Sequence, residues 1–289
     1  MRNSFFLLCL FSLASPAQSQ KVSSNLKFEQ GQVLEITLQV KTSIAQQAMG
    51  QAIDFTMDAT GDHFYKITNA TDDNTTLNHG VQRIRFTFDG MGQKRNFDSN
   101  EEKDLNGPFG KPVKDLLEKK YDMVIDPAGR VLMVLPEKME LNSSDGRMMI
   151  IGGMMKDVFN VGMPPKKGLA SFFKVLPDTA TSKSEPWTQS YSNETGQFDE
   201  AYNISDINDS TIVVDFATGS VTVTRAEIMG NATTTTMNNK STGKIIIDRA
   251  TGIVKEKTET TESAGNTDSS FGTVPVTSKT ITTVTVKAK

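Results

Sequence analysis

Residues 34–41, which read LEITLQVK, decide the fold class of this chain. Leu, Ile, Leu and Val alternate there with Glu, Thr, Gln and Lys, so an extended backbone places the apolar side chains on one face and the polar ones on the other. Residues 53–58 and 84–89 repeat the alternation. Strands with one apolar face are typical of antiparallel sheets that expose the other face to water. We therefore predict a mainly β protein with an antiparallel sheet.

Short runs containing Gly mark the predicted turns between these strands. They occur at Gly61-Asp62, at Asp89-Gly90 and at residues 217–219, where the chain reads Ala-Thr-Gly. Residues 211–286 are dominated by Thr, Val and Ile, and β-branched side chains suit a sheet better than a helix. The sequence thus predicts hairpin-connected strands over the whole C-terminal third.

Two segments have a helical spacing instead. In residues 111–119 a Pro near the start is followed by apolar residues at offsets typical of one helix face, which predicts a short amphipathic helix. Residues 147–161 carry apolar residues at helical spacing without β-branched alternation, and Pro164-Pro165 ends that pattern. We predict helices in both segments.

The two halves of the chain resemble one another. Three sequence landmarks recur in the same order, namely residues 65–68 and 202–205, residues 91–92 and 229–230, and residues 125–131 and 247–254. The first half carries extra residues between its second and third landmarks, where the predicted helix 111–119 lies. We interpret residues 21–289 as a single β-rich region made of two pseudo-repeats, about 27–165 and 185–289, that form a curved antiparallel sheet or half-barrel.

The N-terminal residues have the features of an export signal. Arg2 precedes an apolar run at residues 5–11, and the small residues 17–19 suit cleavage by signal peptidase. We predict that residues 1–20 form a signal peptide and that the mature protein reaches the periplasm, the cell surface or the medium of a bacterium. Cys9 is the single cysteine and lies in this segment, so we expect no disulfide in the mature chain.

Charge and hydropathy argue against nucleic-acid binding and against a membrane span. The chain has 31 basic and 34 acidic residues without a dense basic cluster, which argues against binding to nucleic acid. No apolar run beyond the signal is long enough for a spanning helix, so we expect no membrane span. We expect a partner, if any, of another kind.

No pattern in the sequence indicates catalysis. A hydrolase nucleophile needs a base, and the chain has only His63 and His79, which we expect at the surface or in a turn. Adjacent carboxylates such as Asp199-Glu200 point to opposite faces of a strand and cannot act on one substrate. The spacings of zinc, calcium and phosphate-binding motifs are missing. We predict a protein that is not an enzyme, with no catalytic residues, no metal site and no cofactor.

Several short motifs resemble those of an uncharacterised family of exported bacterial proteins, a domain of unknown function. The motifs are Lys27-Phe28 followed by Gly31, Met49-Gly50-Gln51, Phe97-Asp98-Ser99, the hairpin at residues 125–129, and residues 176–187. More remotely, the strands resemble the curved half-barrels that carry lipoproteins or lipids across a periplasm. The first resemblance implies no function, and the second implies only that lipid binding is possible.

Methionines are concentrated in one part of the chain, with eight of the fourteen between Met123 and Met163. Thioether side chains make adaptable apolar surfaces, so we predict that Met148, Ile151, Met155 and Phe159 cover a ligand cavity. A helix that fills one end of a β core would use the same residues.

Two functions from different classes follow. Our leading prediction is an exported, non-enzymatic β protein that binds a hydrophobic small molecule or lipid in an apolar cavity. The alternative is a structural or interaction module of the bacterial cell envelope with a filled core. An enzyme with an unfamiliar site is the third possibility, and it would need His63, His79 and carboxylates in one cleft.

Overall fold

The computed structural model describes residues 20–48, 51–90, 92–138, 155–193, 196–228, 231–270 and 272–289. These residues form twelve strands in one sheet and three short helices. The strands are β1 (Val33–Ala48), β2 (Gln51–Ala70), β3 (Thr75–Gly90), β4 (Gln93–Asp98), β5 (Lys120–Ile125), β6 (Val131–Leu135), β7 (Trp187–Asn193), β8 (Gly196–Ile207), β9 (Thr211–Ile228), β10 (Asn231–Asp248), β11 (Val254–Ser269) and β12 (Gly272–Ala288). The helices are α1 (Glu102–Leu105), α2 (Gly110–Glu118) and α3 (Lys156–Val161). The predicted mainly β, antiparallel fold is confirmed.

The sheet is open and continuous through both halves of the chain. Its order is β6-β5-β3-β2-β1-β12-β11-β10-β9-β8-β7, and β4 pairs with β3. All of these pairings are antiparallel. β1 and β12 join the halves, from Leu34 opposite Ala288 to Gln46 opposite Val276. The first and last described strands therefore lie side by side in the middle of the sheet.

One face of the sheet, which we call the inner face, carries two hydrophobic clusters. The apolar residues of the 34–41 stretch are buried there with at most 2% of their surface exposed, as the alternation predicts. The larger cluster lies under β1, β2, β3 and β5, and the smaller one under β8, β9 and β10. Phe172 packs against both clusters. The half-buried strands are thus stabilised mainly by removal of apolar surface from water on the inner face.

The helices pack against the first half of the sheet. α2 matches the predicted helix 111–119, and its Val113 and Leu116 are completely buried in the larger cluster. α3 covers the last part of the predicted helix 147–161, and residues 147–154 lie outside the described residues. Val158 of α3 is also completely buried. α2 and α3 therefore each bury an apolar face, which is the main source of stability for helices this short.

Two of the predicted turns are wrong. Gly61-Asp62 lies inside β2 and residues 217–219 lie inside β9, because these strands are 20 and 18 residues long. A Cβ at position 61 would lie 2.8 Å from Nε2 of His63 and 3.0 Å from Cγ1 of Val158. Gly61 is therefore a point of close approach to α3, which is a common role of Gly within a strand.

Equivalent hairpins in the two halves share local details. β2–β3 has a bulge between Ile67 and Asn69, and β8–β9 has one between Ile204 and Asp206. In each bulge the central hydroxyl donates a hydrogen bond across the hairpin, from Thr68 to the carbonyl of Thr76 at 3.3 Å and from Ser205 to that of Val213 at 3.4 Å. These positions have the same spacing in both halves.

The region between the second and third landmarks differs between the halves. β9 pairs with β10 along one uninterrupted strand. β3 pairs instead with β4 over residues 85–90 and with β5 over residues 75–80. α1 and α2 lie between β4 and β5 in the chain. The extra residues of the first half thus form the two helices, and β4 and β5 together occupy the place that β10 has in the second half.

The segment before β1 joins the two halves. The Leu26 amide donates to the Pro127 carbonyl at 2.7 Å and the Lys27 amide to the Thr251 carbonyl at 2.8 Å, so each half supplies one acceptor. The acceptors belong to the turns that begin at Asp126 and Asp248, the third landmark in each half. The predicted signal peptide lies almost wholly outside the described residues, which begin at Gln20.

Candidate functional site

A cavity of about 640 Å³ lies along the inner face of the sheet, over β1 and β7 to β12. Its opposite border is formed by α3, through Asp157, Asn160 and Val161, and by Phe172 and Val175. A cavity of this volume is in the range of sites that bind small molecules. The second half of the sheet, together with α3, therefore builds the main candidate site.

The base of the cavity is apolar. It is formed by side chains that belong to the two hydrophobic clusters, among them Leu38 on β1, Phe216 on β9, Ile245 on β10 and Val284 on β12. Val161 on α3 and Phe172 are further apolar residues of the lining. This part of the cavity offers a surface from which water is readily displaced by an apolar group.

The rest of the lining is rich in hydroxyl groups. Thr42 on β1 and Thr280 on β12 share a hydrogen bond of 3.2 Å, and Ser241 on β10 and Thr261 on β11 share one of 2.8 Å. The lining is therefore mixed, and it differs from the apolar lining expected from the sequence. The reason is that Ser and Thr occupy both faces of β9–β12, so alternation alone does not indicate which of them point inwards.

A carboxylate, that of Glu200, is held in the cavity wall by three donors. The hydroxyl of Tyr202 and the amide of Gln189 each donate to it at 2.7 Å, and the hydroxyl of Tyr191 donates at 3.4 Å. Glu200 and both tyrosines line the cavity. The three donors fix the position of the carboxylate in the β7–β8 wall.

Two stacked aromatic pairs lie on either side of Glu200. Trp187 stacks on Tyr202 with ring centroids 5.3 Å apart, and Tyr191 stacks on Phe198 at 5.0 Å. Both are cross-strand pairs between β7 and β8, since Trp187 lies opposite Tyr202 and Tyr191 opposite Phe198. The edge of the sheet thus presents a carboxylate between two aromatic pairs.

The polar groups of this wall influence one another. Burial, with the nearby carboxylate of Glu200, raises the pKa of Tyr191 to about 12 and raises that of Tyr202 further. Both hydroxyls therefore stay protonated at neutral pH and remain donors to Glu200.

Lys257 on β11 lies over the Phe216 ring, with Nζ 4.8 Å from the centroid, and forms an ion pair with Glu259 at 2.8 Å.

Short sequence patterns provide only a weak signal for this wall. Asp199 and Glu200 point to opposite faces, as the strand geometry predicts: Asp199 accepts a hydrogen bond from Ser190 outside the cavity, at 2.7 Å. An informative pattern is the pair of aromatic residues four positions apart in each strand, at the ends of 187–191 and of 198–202. Its meaning depends on the cross-strand register, which the sequence alone does not reveal.

Two of the four residues predicted to contact a ligand are described, and both belong to α3 or its N-cap. Met148 and Ile151 lie outside the described residues. Met155 is completely buried in the larger hydrophobic cluster, and Phe159 is half-buried against that cluster. The α3 residues that border the cavity are their neighbours Asp157, Asn160 and Val161. Contact of Met155 and Phe159 with a ligand stays a prediction.

The positions expected for the two histidines are wrong. His63 and His79 are completely buried on the inner face of β2 and β3, because each follows the apolar alternation of its strand. The His79 ring lies between Tyr65 and Tyr121, at 4.6 Å from each. The two tyrosine hydroxyls share a hydrogen bond of 3.0 Å. Within the described residues the ring nitrogens of both histidines have no hydrogen-bond partner, and no carboxylate bonds to them.

The residues that the structure describes contain no group of three or more His, Cys, Asp or Glu side chains placed to bind a metal ion. Their helices are all too short or too polar to cross a bilayer.

Comparison with known sequences places the chain in a family. A model described as a family of unknown function, DUF6263, matches residues 72–254. The chain belongs to this family. The resemblance to a domain of unknown function is thus confirmed, and the DUF6263 match includes β8, β9 and β10 of the cavity wall. No curated protein sequence matches the chain.

Solved structures give only distant likenesses. Lipovitellin, described for its lipid–protein interactions, is 11% identical with a TM-score of 0.46, and the match covers 91% of this chain and 26% of lipovitellin. An outer membrane channel from Pseudomonas putida F1 is 7% identical with a TM-score of 0.28, covering 91% of this chain and 98% of the channel. The chain thus spans about a quarter of the length of the lipovitellin chain. Likenesses at these scores give no information on function.

Proposed function

We propose that this DUF6263 protein is an exported, non-enzymatic binding protein that holds a lipid-like amphiphile in the cavity between α3 and the second half of the sheet. The observation that supports the proposal is the cavity of about 640 Å³ with an apolar base and a hydroxyl-rich wall. An amphiphile would bury its hydrocarbon part against Leu38, Phe216 and Val284 and keep its polar part among Ser and Thr. No covalent step is involved.

Binding of a neutral hydrophobic dye, N-phenyl-1-naphthylamine, tests the proposal. Thr280 lines the cavity, whereas Ile281, the next residue of β12, is 43% exposed and is not part of the lining. We expect Thr280→Phe to fill part of the cavity and weaken dye binding, and Ile281→Phe, which places the same ring outside the lining, to leave it unchanged. Thermal unfolding of both variants verifies that they fold. A wild-type protein that does not bind the dye contradicts the proposal.

Export is a separate part of the proposal and has its own test. The motivating features are Arg2, the apolar run 5–11 and the small residues 17–19. We expect the full chain, expressed in a Gram-negative bacterium, to appear in the periplasmic or extracellular fraction with a mass that lacks about the first 20 residues. Uncleaved protein confined to the cytoplasm contradicts this part.

A second function, an interaction module of the cell envelope, is favoured by one observation. Leu132, Met133 and Leu135 of the edge strand β6 are 43–57% exposed, together with Leu169 nearby. Apolar residues on an edge strand are a feature of surfaces that bind other proteins. If this face binds another molecule, Leu135→Lys should reduce capture of envelope proteins in a crosslinking experiment, while dye binding to the cavity stays unchanged.

A further inference from the structure

The side chains around Glu200 indicate which kind of polar headgroup fits this part of the cavity. We propose that this wall binds the ammonium group of a cationic or zwitterionic amphiphile, with the carboxylate of Glu200 as counter-ion and the rings of Tyr191, Phe198 and Tyr202 around it. The inference rests on the proposed function and adds a headgroup class to it.

The first argument is the charge of Glu200. Among the described residues no Lys, Arg or His lies within ion-pair distance of its carboxylate. Lys257, a cation that lines the same cavity, forms its ion pair with Glu259 at 2.8 Å. Glu200 is bonded only by neutral donors, so its negative charge is stabilised in position but not neutralised. A cation that enters the cavity would supply the missing charge.

The second argument is the aromatic surroundings. The Tyr191–Phe198 and Trp187–Tyr202 pairs lie on either side of Glu200 along the strands. Aromatic rings attract cations through the negative potential of their faces, and quaternary ammonium groups are commonly bound in this way. Within the same cavity the ammonium group of Lys257 already lies 4.8 Å from the centre of the Phe216 ring. This wall therefore suits an ammonium group better than a phosphate or a carboxylate.

The third argument is the short distance between the polar wall and the apolar base across two neighbouring strands. Tyr202 lies beside Phe216 in the register of β8 and β9, with ring centroids 6.1 Å apart, and Phe216 belongs to the smaller hydrophobic cluster. A headgroup at Glu200 thus places the attached chain next to the apolar base. An ammonium group could also come from a small free cation, and the experiment separates these two sources.

The test is a series of ligands that share an octyl chain and differ in headgroup, each used below its micelle concentration. Octyltrimethylammonium, octyl glucoside and octanoate are titrated against the full mature chain, with tetramethylammonium as the free cation. Trp187 is the single tryptophan and stacks on Tyr202, so its fluorescence reports on this wall. Calorimetry gives the affinities independently.

We expect octyltrimethylammonium to bind about tenfold more tightly than octyl glucoside, and octanoate to bind most weakly. Glu200→Gln should remove the preference for the cation, because it keeps the shape and loses the charge. Asp199→Asn makes the same change on the outer face and should keep the preference. Comparison of headgroups on the wild type does not depend on folding of either variant.

The outcomes separate the inference from the proposed function. Equal binding of the cationic and neutral ligands, or an unchanged preference in Glu200→Gln, overturns the ammonium site and leaves the amphiphile cavity in place. Binding of neither tetramethylammonium nor any octyl ligand overturns both. Tight binding of tetramethylammonium alone supports the ammonium site and contradicts the lipid-like ligand.

Discussion

The imidazole rings of His63 and His79 lie 5.6 Å apart, centroid to centroid, and are nearly parallel. Both side chains are completely buried, and their ring nitrogens have no hydrogen-bond partner within the described residues. A charged imidazole is costly in such surroundings. Burial lowers the pKa of His63 to about 4, and burial together with the nearby His63 lowers that of His79 to about 3. Both rings are therefore neutral in the folded protein at any pH above about 5.

This pair predicts that the protein loses stability in mild acid. Below about pH 6.5 histidines of the unfolded chain take up protons, while those of the folded chain do not until their lowered pKa values are reached. Stability is fully present above about pH 6.5 and falls as the pH decreases towards 4. The expected slope is about 1.4 kcal/mol per pH unit for each histidine. Urea unfolding at a series of pH values between 7 and 4.5 measures it.

The control for this prediction replaces one of the two rings. His79→Phe keeps a flat ring between Tyr65 and Tyr121 and removes one titrating group. The pH slope that histidine contributes should be halved in this variant. A slope equal to that of the wild type would mean that carboxylates, and not the buried histidines, cause the acid sensitivity.

A second prediction concerns two glycines in neighbouring strands. A Cβ at position 243 would lie 2.2 Å from the carbonyl oxygen of Thr258 and 2.5 Å from the Phe216 ring. At position 219 a Cβ would meet nothing within 4 Å. We expect Gly243→Ala to destabilise the protein by about 1–3 kcal/mol through overpacking, and Gly219→Ala to have little effect or a small stabilising one. Thermal unfolding of the two variants compares them, and equal melting temperatures would argue against the tight packing of Phe216 on β10.

The strands could be predicted from the sequence because the alternation of residues 34–41 leaves one possible face for the core. Their lengths could not. The short stretches around Gly61 and Gly219 have the composition of turns. Both glycines nevertheless lie within long strands, where hydrogen bonds to the neighbouring strands determine the backbone conformation. Local propensity is overridden there by pairing partners that are distant in the sequence.

The candidate site could be predicted less well than the fold. The sequence indicated a cover at α3, but the wall with Glu200 depends on which residues of β7 and β8 face one another. His63 and His79 are expected at the surface or in a turn because the sequence places one at a strand start and the other beside a Gly, whereas both lie within long strands on the core face. For the wall with Glu200 the decisive information is register, which short-range patterns do not contain, whereas the burial of the two histidines follows the alternation of their own strands.

A third prediction separates a structural from a ligand-binding role for the Met-rich segment. Met155 is completely buried in the larger hydrophobic cluster, whereas Val161 lines the cavity. Met155→Ala should destabilise the protein by about 2–5 kcal/mol through the cavity that it leaves, with unchanged dye affinity. Val161→Ala should weaken dye binding with a smaller loss of stability. Phe159→Ala, measured in the same two assays, shows whether this half-buried ring contacts a ligand or only supports the helix.

The outcome that contradicts this interpretation is also specific. If Met155→Ala weakens dye binding while the melting temperature hardly changes, the thioether contacts the ligand directly. Met155 would then act as a cover of the cavity and not as part of the core.

The last prediction concerns Leu26, which lies between the two halves. Its side chain is 7% exposed, and its Cδ1 lies so near Gly129 that a Cβ there would be only 2.8 Å away. Gly252, at the equivalent turn of the second half, approaches the adjacent carbonyl of Asn25 in the same way, with 2.6 Å left for a Cβ. Leu26→Ala should therefore loosen the contact with both turns and destabilise the protein by about 2–5 kcal/mol. Lys27→Ala is the matched control, because this exposed side chain can be removed while its backbone hydrogen bond to Thr251 is kept.

Urea unfolding should be followed both by circular dichroism, which reports on the whole sheet, and by the fluorescence of Trp187, which reports on the second half. Since β1 and β12 join the halves, both signals should move together to lower urea in Leu26→Ala. A loss no larger than that of Lys27→Ala would show that the segment before β1 does not hold the two turns together.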